Sequence, residues 1–198
     1  NLMITTTLDK QGFKEEHRRK TAKPLLWLGI VSIIMFFGGL TSAVLVRMAD
    51  PGWEHIQLPT IFTLSTILLI GSSVMFILAN KSAKKDNYSG VKQYLYGSLI
   101  FGVGFAVCQF IGWGQLVDLG YFFTGAESTP ASSYLYVLTA VHLAHLVGGF
   151  IALIISILNS HKHKYNSKNL LGLQLCSIYW HFMDGLWIYI YLFLTFVA

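Results

Sequence analysis

Five runs of about 20 or more mostly apolar residues dominate this 198-residue sequence, and nearly every charge falls between them. At about 1.5 Å of rise per residue, ~20 helical residues cross the ~30 Å hydrocarbon core of a bilayer. The runs cover about 25–46, 58–79, 94–117, 133–158 and 170–197, with Pro24 and Pro59 at or near two of the starts. Strands are excluded, because the runs are apolar nearly all round and far exceed the about 9–11 residues of a barrel strand. Backbone polar groups in lipid must find partners within their own segment, so each run is expected to be a helix. Composition agrees. The chain is 54% hydrophobic before its 18 glycines are counted, against about 45–50% with glycine included in a soluble domain. The fold class is therefore all-α: a polytopic membrane bundle of five transmembrane helices.

The charges set an orientation. Thirteen of the 14 lysines and arginines lie before the first run, between the second and third, or between the fourth and fifth, leaving Arg47 alone on the other side. The positive-inside rule then places the N-terminus inside and the C-terminus outside. Residues 1–23 read as a polar, basic arm on the inside face, and 24–198 as the membrane domain. The net charge of +5 belongs to this topology, so nucleic acid is not an expected partner. The first apolar stretch exceeds the about 7–15 residues of a signal-peptide core, so it reads as a span and not a cleaved leader. No internal repeat or appended soluble domain is evident.

Ionisable groups inside a bilayer are costly, about 2.5–3.5 kcal/mol for a charged Asp at a helix centre on insertion scales. His142 and His145 stand three residues apart and share a helix face, and His181 and Asp184 repeat the relation on the last helix. His142 and His181 each lie roughly 14–17 Å into their runs, so antiparallel neighbours would bring them to one depth. Gln109 is a further polar candidate. Three readings stay open: a metal site, since imidazole and carboxylate are good ligands; a proton relay, since His titrates near neutrality; and a structural cluster that locks His142 or His145 to His181 or Asp184.

Small residues four apart, among them Gly38 with Ser42, Gly39 with Ala43, and Ala144 with Gly148 beside Gly149, allow helices to approach closely. Trp27, Trp53, Tyr121, Tyr134 and Tyr136 suit the interfacial belt, whereas Trp113, Trp180 and Trp187 lie deeper and read as packing or lipid contacts. His161 and His163 sit among lysines in an inside loop and read as a solvated, headgroup-facing surface. Cys108 and Cys176 lie within apolar runs and read as small buried hydrophobes.

These residues carry a family resemblance. The stretch 179–187, YWHFMDGLW, resembles the W-H-F-x-D-x-x-W of the last helix of haem–copper oxidase subunit III. The stretch 142–149, HLAHLVGG, is similar to that family's H-G-x-H-V-x-x-G, and 35–40, MFFGGL, is similar to its M-F-F-G-G-L. Gln109 followed by Trp113 resembles its Q-x-x-E-W. The motifs come in the family's order across about residues 24–198, in the five-helix bacterial form. The resemblance implies a subunit with no haem or copper of its own, both residing in partner subunits I and II. It also implies bound phospholipid, a place in the bacterial inner membrane, and room for a larger respiratory supercomplex. It casts His142, His145, His181, Asp184 and Gln109 as structural, with no metal site.

Two positions depart from the family pattern. Ile33 stands where a membrane-embedded Glu usually follows Ser, and Gly112 replaces the Glu of Q-x-x-E-W. A proton-buffering role that rests on those acids is not expected here, whereas assembly and lipid binding rest on shape. The resulting expectation is a non-catalytic subunit III of a cytochrome c oxidase type complex, which reduces oxygen to water and translocates protons. A quinol oxidase subunit III and a nitric-oxide-reductase accessory protein share the motifs. From another class, the rival is a small proton-coupled transporter, against which stands the missing inverted repeat.

Overall fold

The computed structural model describes residues 2–49, 53, 56–125, 128–162, 165 and 170–197, with side chains from Lys20 onward. The described residues form five α-helices and no strand: α1 (Leu2–Arg47), α2 (Ile61–Lys84), α3 (Tyr88–Asp118), α4 (Pro130–His161) and α5 (Leu171–Val197). Each is long and apolar enough to cross a membrane, α1 through its part from Lys20 to Arg47. The all-helical, five-span fold read from the sequence is the fold observed.

Helices α1 to α4 extend past their apolar runs at one or both ends. The largest difference is at α1, which starts at Leu2 and carries Pro24 in its interior. Proline there removes one bond to the carbonyl of Lys20, an exposed residue where the span begins. The side chains of Lys10, Lys14, Arg18 and Arg19, and residues His163, Lys164 and Lys168, lie outside what the structure describes.

Specific residues set the other ends. The α2–α3 turn places Asp86 at φ 55, a left-handed conformation that Asp tolerates better than most. Asn87 then caps α3, its side chain accepting from the Gly90 N–H at 3.0 Å. Thr129 and Ser132 form a reciprocal capping box at α4, with Pro130 in the first turn.

Helix neighbours define the bundle. The α2–α3 hairpin packs along its length, α4 lies on α3, and α5 closes the ring against α4 and α2. Among the described residues, α1 packs only on α4 and α5, outside this four-helix ring. The Trp53 indole N–H donates to the Val197 carbonyl at 3.3 Å, tying the α1–α2 connection to the end of α5.

Aromatic side chains fill the middle of the ring. Trp180 and Trp187 are fully buried. Trp180 meets Phe76 and Phe150, and Trp187 meets Phe62 and Phe105. Glycines make room for them. A Cβ on Gly102 would come within 3.0 Å of both Phe150 and Trp180, and one on Gly149 would touch Trp180 at 3.4 Å. Gly38 and Gly39 behave differently: among the described residues nothing lies within 4 Å of a Cβ built at either, so neither is a point of close helix contact there. Cys108 and Cys176 are buried and unpaired.

Candidate functional site

The polar residues of α4 and α5 lie in separate places, His142 and Asp184 buried and His145 and His181 partly so. His142, fully buried, lies with its ring centre 6.0 Å from Phe105 and 5.2 Å from Trp187. Neither of its ring nitrogens has a hydrogen-bond partner among the described residues. His145, one turn on, pairs Nδ1 with the Val141 carbonyl at 2.8 Å. Its ring faces Phe37 at 5.7 Å and Phe36 at 6.4 Å, which fastens α1 to α4. The Tyr179 hydroxyl donates to the His145 carbonyl at 2.9 Å and joins α5 to the same turn.

His181 turns the other way, toward α2. Its Nδ1 is 2.6 Å from the Ser73 hydroxyl and 4.0 Å from Asp184 Oδ2. Asp184 is buried and faces the same Ser73 hydroxyl, and among the described residues neither carboxylate oxygen meets full hydrogen-bond geometry. Gln109 donates to the Ser65 hydroxyl at 3.0 Å, and its Oε1 is buried without a partner among the described residues.

The expected contact of His142 or His145 with His181 or Asp184 is absent from the hydrogen bonds, ion pairs and ring contacts of the described residues. The physical reason is the rotation of α4. His142 points into the aromatic interior and His145 toward α1, while His181 sits at the α2 edge of α5. The described residues contain no group of three or more His, Cys, Asp or Glu placed to hold one metal ion.

The deep tryptophans follow a common rule: each indole N–H donates to a hydroxyl on a neighbouring helix at 3.0 Å. Trp113 uses Thr139, Trp180 uses Ser72 and Trp187 uses Thr66. Ser72 in turn donates to the Ser98 carbonyl on α3 at 2.9 Å, so one hydroxyl links three helices.

The hydroxyls of α2, not among the candidate residues read from the sequence, answer four of the polar groups above: His181, Gln109, Trp180 and Trp187. Their signal is the spacing. Ser65 and Ser72 are seven apart and buried toward α3, while Thr66, Ser73 and Asn80 are seven apart and meet α5. A seven-residue repeat holds one helix face, and such hydroxyls are cheap in lipid because they can bond back to the preceding turn. Ser65 and Thr66 both do so, onto the Phe62 carbonyl.

Contacts also occupy the two positions that depart from the family pattern. Ile33 packs partly buried against the core. A Cβ on Gly112 would fall 2.8 Å from Phe62 Cζ and 3.1 Å from Ile61 Cγ2. The Phe62 ring, which also stacks on Trp187, takes the space that a side chain at 112 would need.

Comparison with known proteins agrees with this frame. The family model described as Cytochrome c oxidase subunit III matches residues 21–198. The chain is 28% identical over 172 residues to a cytochrome c oxidase subunit 3 of Corynebacterium diphtheriae, covering 83% of this chain and 82% of the relative. It is 28% identical over 178 residues to a probable cytochrome c oxidase subunit 3 of Nocardia farcinica, covering 87% and 85%. A third relative, cytochrome c oxidase subunit 3 of Thermostichus vulcanus, is 28% identical over 170 residues, covering 82% and 80%.

Proposed function

Since this chain belongs to the cytochrome c oxidase subunit III family, we propose that it is a non-catalytic membrane subunit of a respiratory oxygen reductase. The observation that carries the reading is the family match over nearly the whole membrane domain. The complex reduces oxygen to water and translocates protons, with haem and copper held by partner subunits I and II. The side chains here do not fit either group. The three intramembrane imidazoles diverge toward an aromatic interior, toward α1 and toward α2, and among the described residues no carboxylate joins two of them. What the chain supplies is shape: His142, His145, His181, Asp184 and Gln109 act as structural groups between helices.

The same reading gives the chain a lipid. An apolar groove of about 360 Å³ runs between α1 and α5, lined by Ile34, Phe37, Gly38, Phe182, Gly185, Leu186 and Tyr189. Nothing lies within 4 Å of a Cβ at Gly38 or Gly185, so the groove stays open for an acyl chain of a phospholipid. The membrane is the bacterial inner membrane, with the basic arm and the α2–α3 turn inside. Lys81, Lys84 and Lys85 are exposed at that turn, and Arg47 ends α1 at the opposite face.

Removing this chain from the purified oxidase tests the role. The reduced-minus-oxidised haem spectrum of the remaining complex is expected to be unchanged. Loss of a haem band in proportion to the chain removed would assign a redox ligand to it and overturn the proposal.

A further inference from the structure

The seam between α2 and α5 is polar from end to end. Thr63 pairs with Tyr191 at 2.8 Å, Thr66 with Trp187 at 3.0 Å, Ser73 with His181 at 2.6 Å and Asn80 with Ser177 at 2.7 Å. Residue numbers rise along α2 as they fall along α5, so the helices are antiparallel and the row spans roughly 25 Å, most of the bilayer.

The seam does not close over the His181 ring. The His181 side chain is 32% exposed, and only its Nδ1 is engaged, by Ser73, among the described residues. Beside it the carboxylate of Asp184, 7% exposed, is closed over within the chain, 4.0 Å from the same Nδ1 and facing the same Ser73 hydroxyl. His181 lies ten residues into α5 and Ser73 twelve into α2, which is about 15–18 Å from either helix start and mid-bilayer. Lipid chains offer no hydrogen bond at that depth, and a polar group left unanswered in hydrocarbon costs several kcal/mol, because the bonds it made to water are lost and nothing replaces them. The outward faces of α3 and α4 are apolar at this depth, with Val103, Val107 and Phe110 on α3 and Val147, Ile151 and Ile155 on α4.

We infer that the α2/α5 seam is the face that receives a neighbouring oxidase subunit, through a transmembrane helix bringing a hydrogen-bonding side chain to the depth of His181. The inference rests on the proposed oxidase reading and adds the face. Ile70 and Ile77, exposed on α2 one turn either side of Ser73, flank the contact with apolar packing surface. The polar group at the centre fixes depth and rotation, and the isoleucines supply close packing, which is how helices associate where the hydrophobic effect is absent.

The test uses the assembled oxidase in native membranes, with a photo-crosslinking amino acid placed singly at Ile70, Ile77 or, on the opposite face, Ile151. Crosslinks from 70 and 77 to a different subunit of the haem-bearing complex, with none from 151, are expected. Crosslinks to that complex from 151 alone, crosslinks joining two copies of this chain at 70 and 77, or no protein product at 70 and 77 would overturn the inference. A paired measurement separates contact from folding. His181→Leu is expected to lower copurifying haem roughly five- to tenfold, while Ser73→Ala, which breaks the same internal bond but leaves the outward imidazole, retains it. Equal loss or equal retention in both variants would contradict the assigned role of His181. If the unaltered chain copurifies with no haem-bearing subunit at all, the oxidase reading itself has failed, which is a different result from crosslinks on the wrong face.

Discussion

Trp180→Ala is expected to lower the stability of the chain in detergent by about 3–5 kcal/mol, the range for removing a large aromatic side chain from a packed core. Trp180 is fully buried between Phe76 and Phe150 and is seated against Gly102 and Gly149. Its loss would leave a hole where α2, α3, α4 and α5 meet. The indole also donates to Ser72, which links α2 to α3. Trp180→Phe keeps part of the ring volume and removes the indole donor, and it is expected to cost about 1–3 kcal/mol through the lost donor to Ser72 and the smaller ring, while Ser72 keeps its bond to Ser98. Thermal melting of both variants is expected to rank Trp180→Ala below Trp180→Phe, because most of the aromatic contact with Phe76 and Phe150 survives in the second. A Trp180→Ala chain that melts with the unaltered protein would show that the ring is not closed around this residue.

Gly112→Glu, which restores the carboxylate of the family pattern, is expected to be more disruptive here than a surface charge. The new Cβ would lie 2.8 Å from the Phe62 ring, and Gly112 itself is buried. Overpacking of this kind costs about 1–3 kcal/mol, and a carboxyl group buried without a partner adds about 1–3 kcal/mol. The prediction has an internal control. Phe62→Ala in the same chain opens the space, and the pair is expected to recover part of the loss, with a coupling of about 0.5–3 kcal/mol typical of residues in contact. Melting temperature and yield of membrane-inserted protein read both effects. Full accommodation of Glu at 112 with Phe62 present would mean that α2 and α3 can separate there.

These two sites show what the sequence could and could not disclose. The five spans were legible because length and apolarity alone decide what crosses a bilayer. Residues 142–149 and 179–187 were legible as polar islands because ionisable groups there are costly. Their partners were not, because a three-residue spacing gives a shared face without saying which neighbour that face meets. His142 and His145 therefore divide between the interior and α1, and His181 finds Ser73 on a helix that had looked merely apolar. The α2 hydroxyls escaped notice because serine and threonine are unremarkable in a span until their seven-residue spacing is counted. The start of α1 was hidden for another reason: apolarity marks where a helix enters lipid, not where it begins. Pro24 marks the first of these boundaries and lies inside the helix. Gly112 and Phe62 illustrate a third limit, since the missing carboxylate was visible in the sequence but the ring that fills its place lies fifty residues away.

The most direct measurement is affinity capture of this chain from its native membranes in mild detergent, followed by a reduced-minus-oxidised optical spectrum of the captured material. A non-catalytic subunit III predicts haem bands together with large copurifying subunits in a fixed ratio to the chain. A clean preparation of this chain, folded and without haem or partner subunits, would contradict it.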